Sequence, residues 1–74
     1  MNDISVVAEG ILHRLVRNYD HDKALPTNIK IALEFRMRKQ TVKTAMAVLT
    51  KAGFFRLDGK LRFFDIAAIE EIYK

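Results

Sequence analysis

The chain has 74 residues, no cysteine and a formal charge of +4. At about 100–200 residues per domain this is one small domain, and the missing cysteine excludes a disulfide framework and any Cys-based zinc site. Half of the residues are hydrophobic and 30% are charged, which fits a folded globule and excludes a disordered tail.

A first helix is expected from Asp3 to Asn18, with Asn2 or Asp3 as its cap. Its apolar residues are Ile4, Val7, Ala8, Ile11, Leu12, Leu15, Val16 and Tyr19, a spacing that makes one broad stripe. Gly10 interrupts good helix formers and suggests close approach of another element. The polar run Asn18 to Asp22 breaks the pattern. Asp20-His21-Asp22 has the wrong spacing for ligands on one helix face and reads as a flexible polar loop, with no metal expected. His13 reads as a boundary residue on the first helix.

Pro26 disfavours helix at Leu25, and Thr27 is the expected N-cap of a second helix, 27–35, with Ile29, Ala32, Leu33 and Phe35 on its apolar face. Arg36-Met37-Arg38 reads as a turn only from its place between two periodic segments. The third helix is expected over 38–52. Val42, Ala45, Met46 and Leu49 sit at i, i+3, i+4, i+7, and Gly53 follows as a C′ glycine does.

Residues 54–64 are nearly palindromic about Gly59, and two aromatic-rich runs flank Asp58-Gly59. This is a hairpin signal. A two-residue Asp58-Gly59 loop would pair Leu57 with Lys60 and mix the faces. The preferred reading is a three-residue loop, Asp58 to Lys60. It pairs Phe55 with Phe63, Arg56 with Arg62 and Leu57 with Leu61, keeping the faces consistent. Two like charges then lie opposite each other, a strain that a bound anion would relieve. The phenylalanines of this hairpin are expected in the core of so small a domain, in preference to a role as stacking platforms for single-stranded bases. Asp65 is the expected cap of a last helix, 65–73.

The predicted fold is therefore mainly α with a small β-hairpin, in the order α-α-α-β-β-α. A short helix, a short turn and a longer basic helix follow helix-turn-helix grammar, and the hairpin after them reads as a wing. In such a pair the first helix braces the second, whose N-terminal residues enter the major groove. A helix about 10–12 Å wide fits a groove about 12 Å wide.

Charge supports a polyanion partner. Residues 34–62 hold eight Lys or Arg against Glu34 and Asp58, a net +6, whereas the remainder carries −2. A basic segment contiguous in sequence favours nucleic acid ahead of a membrane. Lys39, Gln40, Thr41, Lys43 and Thr44 supply donors on the third helix, and Arg56, Lys60 and Arg62 supply cations on the wing. The bland readings are a solvated helix face and cations that guard strand edges. They yield to the helix-turn-helix spacing for the helix and weigh equally for the wing.

Leu25-Pro26-Thr27, Ile31-Ala32, Met37, Thr41-Val42-Lys43-Thr44-Ala45-Met46, Leu49, Gly53 and Phe54 follow one another at a particular spacing. Over residues 25–54 and without a gap, this stretch resembles the winged helix-turn-helix domain of the GntR family of bacterial transcriptional regulators. The matching family pieces are Leu-Pro-Ser, Leu-Ala, Thr-Val-Arg-x-Ala-Leu and a closing Gly-Leu. Arg36 stands where the family has its turn glycine, Arg38-Lys39 replaces Ser-Arg, and a single Gly59 replaces the Gly-x-Gly of the wing. The resemblance implies the DNA-binding module alone, with no effector domain. Carried over by position, Lys39, Thr41 and Lys43 face DNA, with Arg38 and Gln40 nearby.

The expected function is a sequence-specific regulator that binds double-stranded DNA, in the form of a small stand-alone repressor of bacterial, phage or plasmid type. Thr27, Arg38, Lys39, Gln40, Thr41, Lys43, Thr44, Arg56, Lys60 and Arg62 are its candidate contacts. A homodimer is expected, with Ile66, Ile69, Ile72 and Tyr73 as the candidate interface, because paired modules read two half-sites. No cofactor, metal or small-molecule effector is expected. No nucleophile with a base and an orienting acid is displayed, so an enzyme is not expected. No apolar run spans a membrane, and the start, with Asp3 and Glu9, predicts no signal or transit peptide, so the expected location is cytoplasmic. The alternatives are an adaptor or a phage or plasmid inhibitor that binds a host protein, and a replication or partition accessory factor.

Overall fold

The structure, a computed structural model, describes residues 5–73. Helices α1 (Val6–Asn18), α2 (Asn28–Phe35) and α3 (Lys39–Lys51) precede the strands β1 (Phe55–Asp58) and β2 (Leu61–Phe64), and α4 (Ile66–Ile72) follows. This is the predicted winged helix-turn-helix order. No helix among the described residues is long and apolar enough to cross a membrane.

Ser5 caps α1: its hydroxyl accepts the Ala8 N–H at 3.1 Å. Asn2 and Asp3, expected as caps, lie outside the described residues. The predicted stripe is buried through Ala8, Ile11, Leu12 and Leu15, while Val7 is exposed. Gly10 does not mark a close approach, since a Cβ there would meet nothing within 4 Å. The loop at 20–22 forms a turn with its own side-chain contacts. The Asp22 N–H donates to Asp20 Oδ1 at 2.8 Å, the His21 ring stands edge-on to Phe64 at 5.0 Å, and His21 Nε2 lies 2.9 Å from the Val16 carbonyl.

Thr27 caps α2 as expected, accepting the Lys30 N–H at 3.3 Å. The predicted face of α2 is half right: Ala32 and Phe35 are buried as expected, but the rest of the face differs. Ile31, Ala32 and Phe35 are inside, whereas Ile29 and Leu33 are 58% and 74% exposed. Eight residues carry two overlapping apolar stripes, and the aromatic one wins. Phe35 packs near Tyr19, with ring centroids 6.4 Å apart, and under the Arg14 guanidinium at 4.1 Å.

The turn ends α2 without glycine. Arg36 adopts φ 55 and ψ 48, and the Met37 N–H donates to the Ala32 carbonyl at 2.9 Å. This is the left-handed helix ending that glycine ordinarily supplies. Helix α3 buries Val42, Ala45, Met46 and Leu49, as its period predicts. At its end Gly53 takes φ 94, its N–H donates to the Thr50 carbonyl, and the Phe54 N–H donates to the Leu49 carbonyl, both at 3.1 Å. Those two bonds make a Schellman ending.

The hairpin has neither register that the sequence suggested. Phe55 pairs with Phe64, Arg56 with Phe63, Leu57 with Arg62 and Asp58 with Leu61, so the loop is Gly59-Lys60. Gly59 has φ 63, and Arg36 is the one non-glycine residue of positive φ among those described. Glycine first and an ordinary residue second is the sequence signature of a type II′ turn. Burial decides the register. Phe55 and Phe64 are both in the core with rings 5.9 Å apart, and the preferred register would have put them on opposite faces. Arg56 and Arg62 therefore lie on opposite faces of the hairpin, and the anion site expected between them does not form.

Phe54, Phe55 and Phe64 are buried and Phe63 is half-buried, so the core reading of these rings holds. Asp65 caps α4 through the Ala68 N–H at 3.1 Å, and its own N–H donates to the Phe54 carbonyl at 2.9 Å, closing the base of the wing.

Candidate nucleic-acid interface

Lys39, Gln40, Lys43 and Thr44 are exposed on the first two turns of α3. Residues 39 and 43, and likewise 40 and 44, are i, i+4 pairs, so they form two adjacent rows along the helix. Gln40 Nε2 donates to Thr44 Oγ1 at 3.2 Å, which orders the second row. The α3 N-terminus has no side-chain cap and no acidic residue in its first turn. Its free N–H groups and the adjacent Arg38 and Lys39 therefore concentrate positive potential at one end of the helix.

Thr27 and Asn28 bring the start of α2 to the same place, and with Ile29 they line one open depression together with Lys39, Gln40 and Lys43. Thr41 is half-buried and lines a groove between α1 and α3 with Ser5, Val7 and Val48, a groove that Gln40 and Thr44 also border. A third depression lies between α3 and the wing, where Lys43, Ala47 and Lys51 face Leu57 and Arg62. Lys43 borders both the first and the third depression.

The wing residues separate. Lys60 is exposed at the tip. Arg56 is exposed on the outer face, with its guanidinium 5.9 Å from the Phe63 ring centroid. Arg62 is half-buried on the inner face, where its Nη2 donates to Asn28 Oδ1 at 2.5 Å and lies 3.5 Å from the Pro26 carbonyl. Burial lowers its pKa from the ordinary guanidinium value, but an arginine keeps its charge in a protein. Sequence reasoning missed Asn28, Lys51 and Leu57. The i, i+4 row through Lys39, Lys43 and Ala47 leads to Lys51 and could have found it. Asn28 and Leu57 enter only through tertiary packing.

The four residues proposed for a dimer contact also divide. Ile69 is 3% exposed and belongs to the core, while Ile66 and Ile72 are 40% and 45% exposed. Tyr73 is half-buried and meets His13 edge-on at 5.1 Å. Among the described residues no group of three or more His, Cys, Asp or Glu could hold a metal ion. No family model, curated protein or solved structure matches the chain.

Proposed function

We propose that this protein binds double-stranded DNA in a sequence-specific manner and regulates transcription, acting as a repressor of the kind the GntR resemblance implies. The carrying observation is the exposed double row of Lys39, Gln40, Lys43 and Thr44 on the first two turns of α3, braced by α2. In the major groove, Gln40 and Thr44 offer hydrogen bonds to base edges, and Lys39 and Lys43 reach bases or phosphates. Lys60 at the wing tip lies against the backbone. Two copies would read half-sites about 34 Å apart.

A salt titration tests this reading. Lys43→Ala is expected to weaken binding to duplex DNA and to reduce the salt slope by about 1 unit if Lys43 contacts phosphate. An unchanged isotherm counts against it. Selection of bound duplexes from a random pool should return a palindromic consensus if the protein acts as a dimer.

One observation favours a second reading. Ile29 and Leu33 form an exposed apolar pair on the outside of α2, with Lys30 and Arg36 against Glu34 beside it in sequence, and such a pair on a domain of net positive charge suits an adaptor steered to an acidic protein surface. Retention on random duplex DNA with steep salt dependence supports the DNA reading, and flow-through at physiological salt supports the adaptor.

A further inference from the structure

Arg62 uses both its main chain and its side chain to join two distant parts of the molecule. Its carbonyl accepts the Leu25 N–H at 2.7 Å. Its guanidinium bonds Asn28 Oδ1 at 2.5 Å and approaches the Pro26 carbonyl, residues 34 and 36 positions earlier in the chain. The segment so gripped contains the Thr27 cap and opens α2. Its residues Thr27 and Asn28 line the depression that also holds Lys39, Gln40 and Lys43. The inner strand of the wing and the start of the helix-turn-helix thus share one joint.

The rest of the hairpin is anchored at its base. Phe55 and Phe64 are in the core, and the Asp65 N–H bonds the Phe54 carbonyl. Leu57 and Leu61, nearer the tip, are exposed. Between base and tip stands Arg62. A planar guanidinium serves two acceptors in fixed directions, which a point charge on a flexible stem does not. Its donors are also turned inward, toward Asn28 and Pro26, and not outward with those of Arg56 and Lys60.

We propose that Arg62 is a positioning residue: through Asn28 it fixes the wing against the start of α2, and so sets where Lys60 lies relative to the exposed rows of α3. It is not itself a phosphate ligand. The functional half of this proposal rests on the DNA-binding reading of α3 and the wing. The structural half does not.

The test uses Arg62→Gln, Asn28→Ala and the double variant of the whole chain. Exchange of the Leu25 amide, which bonds the Arg62 carbonyl, reports on the joint without any ligand. Each single variant is expected to lose about tenfold in protection, and the double variant no more than either, because one interaction is removed in each case. Unchanged protection in both single variants overturns the joint. In a salt titration with duplex DNA, Arg62→Gln and Asn28→Ala are both expected to lose about tenfold in affinity with the wild-type slope. A slope reduced by about 1 unit in Arg62→Gln, with full affinity in Asn28→Ala, identifies Arg62 as a phosphate ligand and overturns the proposal. If wild type binds no duplex, the DNA reading falls, and the amide measurement still decides the joint.

Discussion

Arg36 holds a left-handed backbone conformation at the end of α2, which costs an L-residue about 1–2 kcal/mol. With no glycine at that position, the sequence marks a turn there only through the periodic runs on either side. Gly53 is the legible counterpart, a glycine after the last periodic residue of α3, and it takes φ 94. Gly10 is a glycine that no packing requires. Gly10→Ala is therefore expected to raise stability by about 1 kcal/mol, and Gly53→Ala to lower it by about 1 kcal/mol. Urea midpoints at constant m measure both. Tyr73 offers a pH test. Its hydroxyl is enclosed and has no hydrogen-bond partner among the described residues, and burial, aided by the charge of Glu9, raises its pKa above the ordinary 10.0. The fold favours the neutral phenol, so this contribution is complete below pH 10 and is lost as pH rises through the raised value. Tyr73→Phe is expected to remove that alkaline loss and to raise Tm by a few degrees at neutral pH, since an unpaired buried hydroxyl costs about 1–3 kcal/mol. Thermal melts from pH 7 to 11 check both.

Elements differ in how clearly they are written in the chain. Helix α3 is legible because Val42, Ala45, Met46 and Leu49 form one stripe with no competitor. Helix α2 carries two, and packing of Phe35 against Tyr19 and Arg14 goes with burial of Ile31 and exposure of Ile29 and Leu33. The hairpin is a sharper case. Its near-palindrome makes neighbouring registers look alike in sequence, and burial of the Phe55–Phe64 pair decides between them. That choice relocates Arg62 from an exposed cation pair to a bond with Asn28. The caps at Thr27 and Asp65 are local and readable, whereas the cap of α1 is Ser5, in place of the expected Asn2 or Asp3. Asp65 has two tasks, capping α4 and closing the wing base. Asp65→Ala is expected to cost about 1 kcal/mol and to raise exchange at the Ala68 amide first. Equal exchange in variant and wild type would contradict that role.

The whole molecule turns a modest net charge into a polarised one. The +6 segment of residues 34–62 supplies the exposed rows of α3 and the tip of the wing. On the proposed DNA-binding function, affinity for duplex is expected to fall with added salt, with a slope that counts the phosphates engaged. The order of elements, the α3 core stripe, the caps at Thr27 and Asp65 and the placing of cations in one stretch were determined by the sequence itself, because each is written in local spacing or in composition and needs no contact between distant segments. The buried face of α2, the hairpin register and the partner of Arg62 were decided only by tertiary structure. In each of these, local preference leaves two near-equal arrangements, and contacts outside the local segment decide: Phe35 with Tyr19 and Arg14, Phe55 with Phe64 in the core, and Arg62 with Asn28, 34 residues earlier.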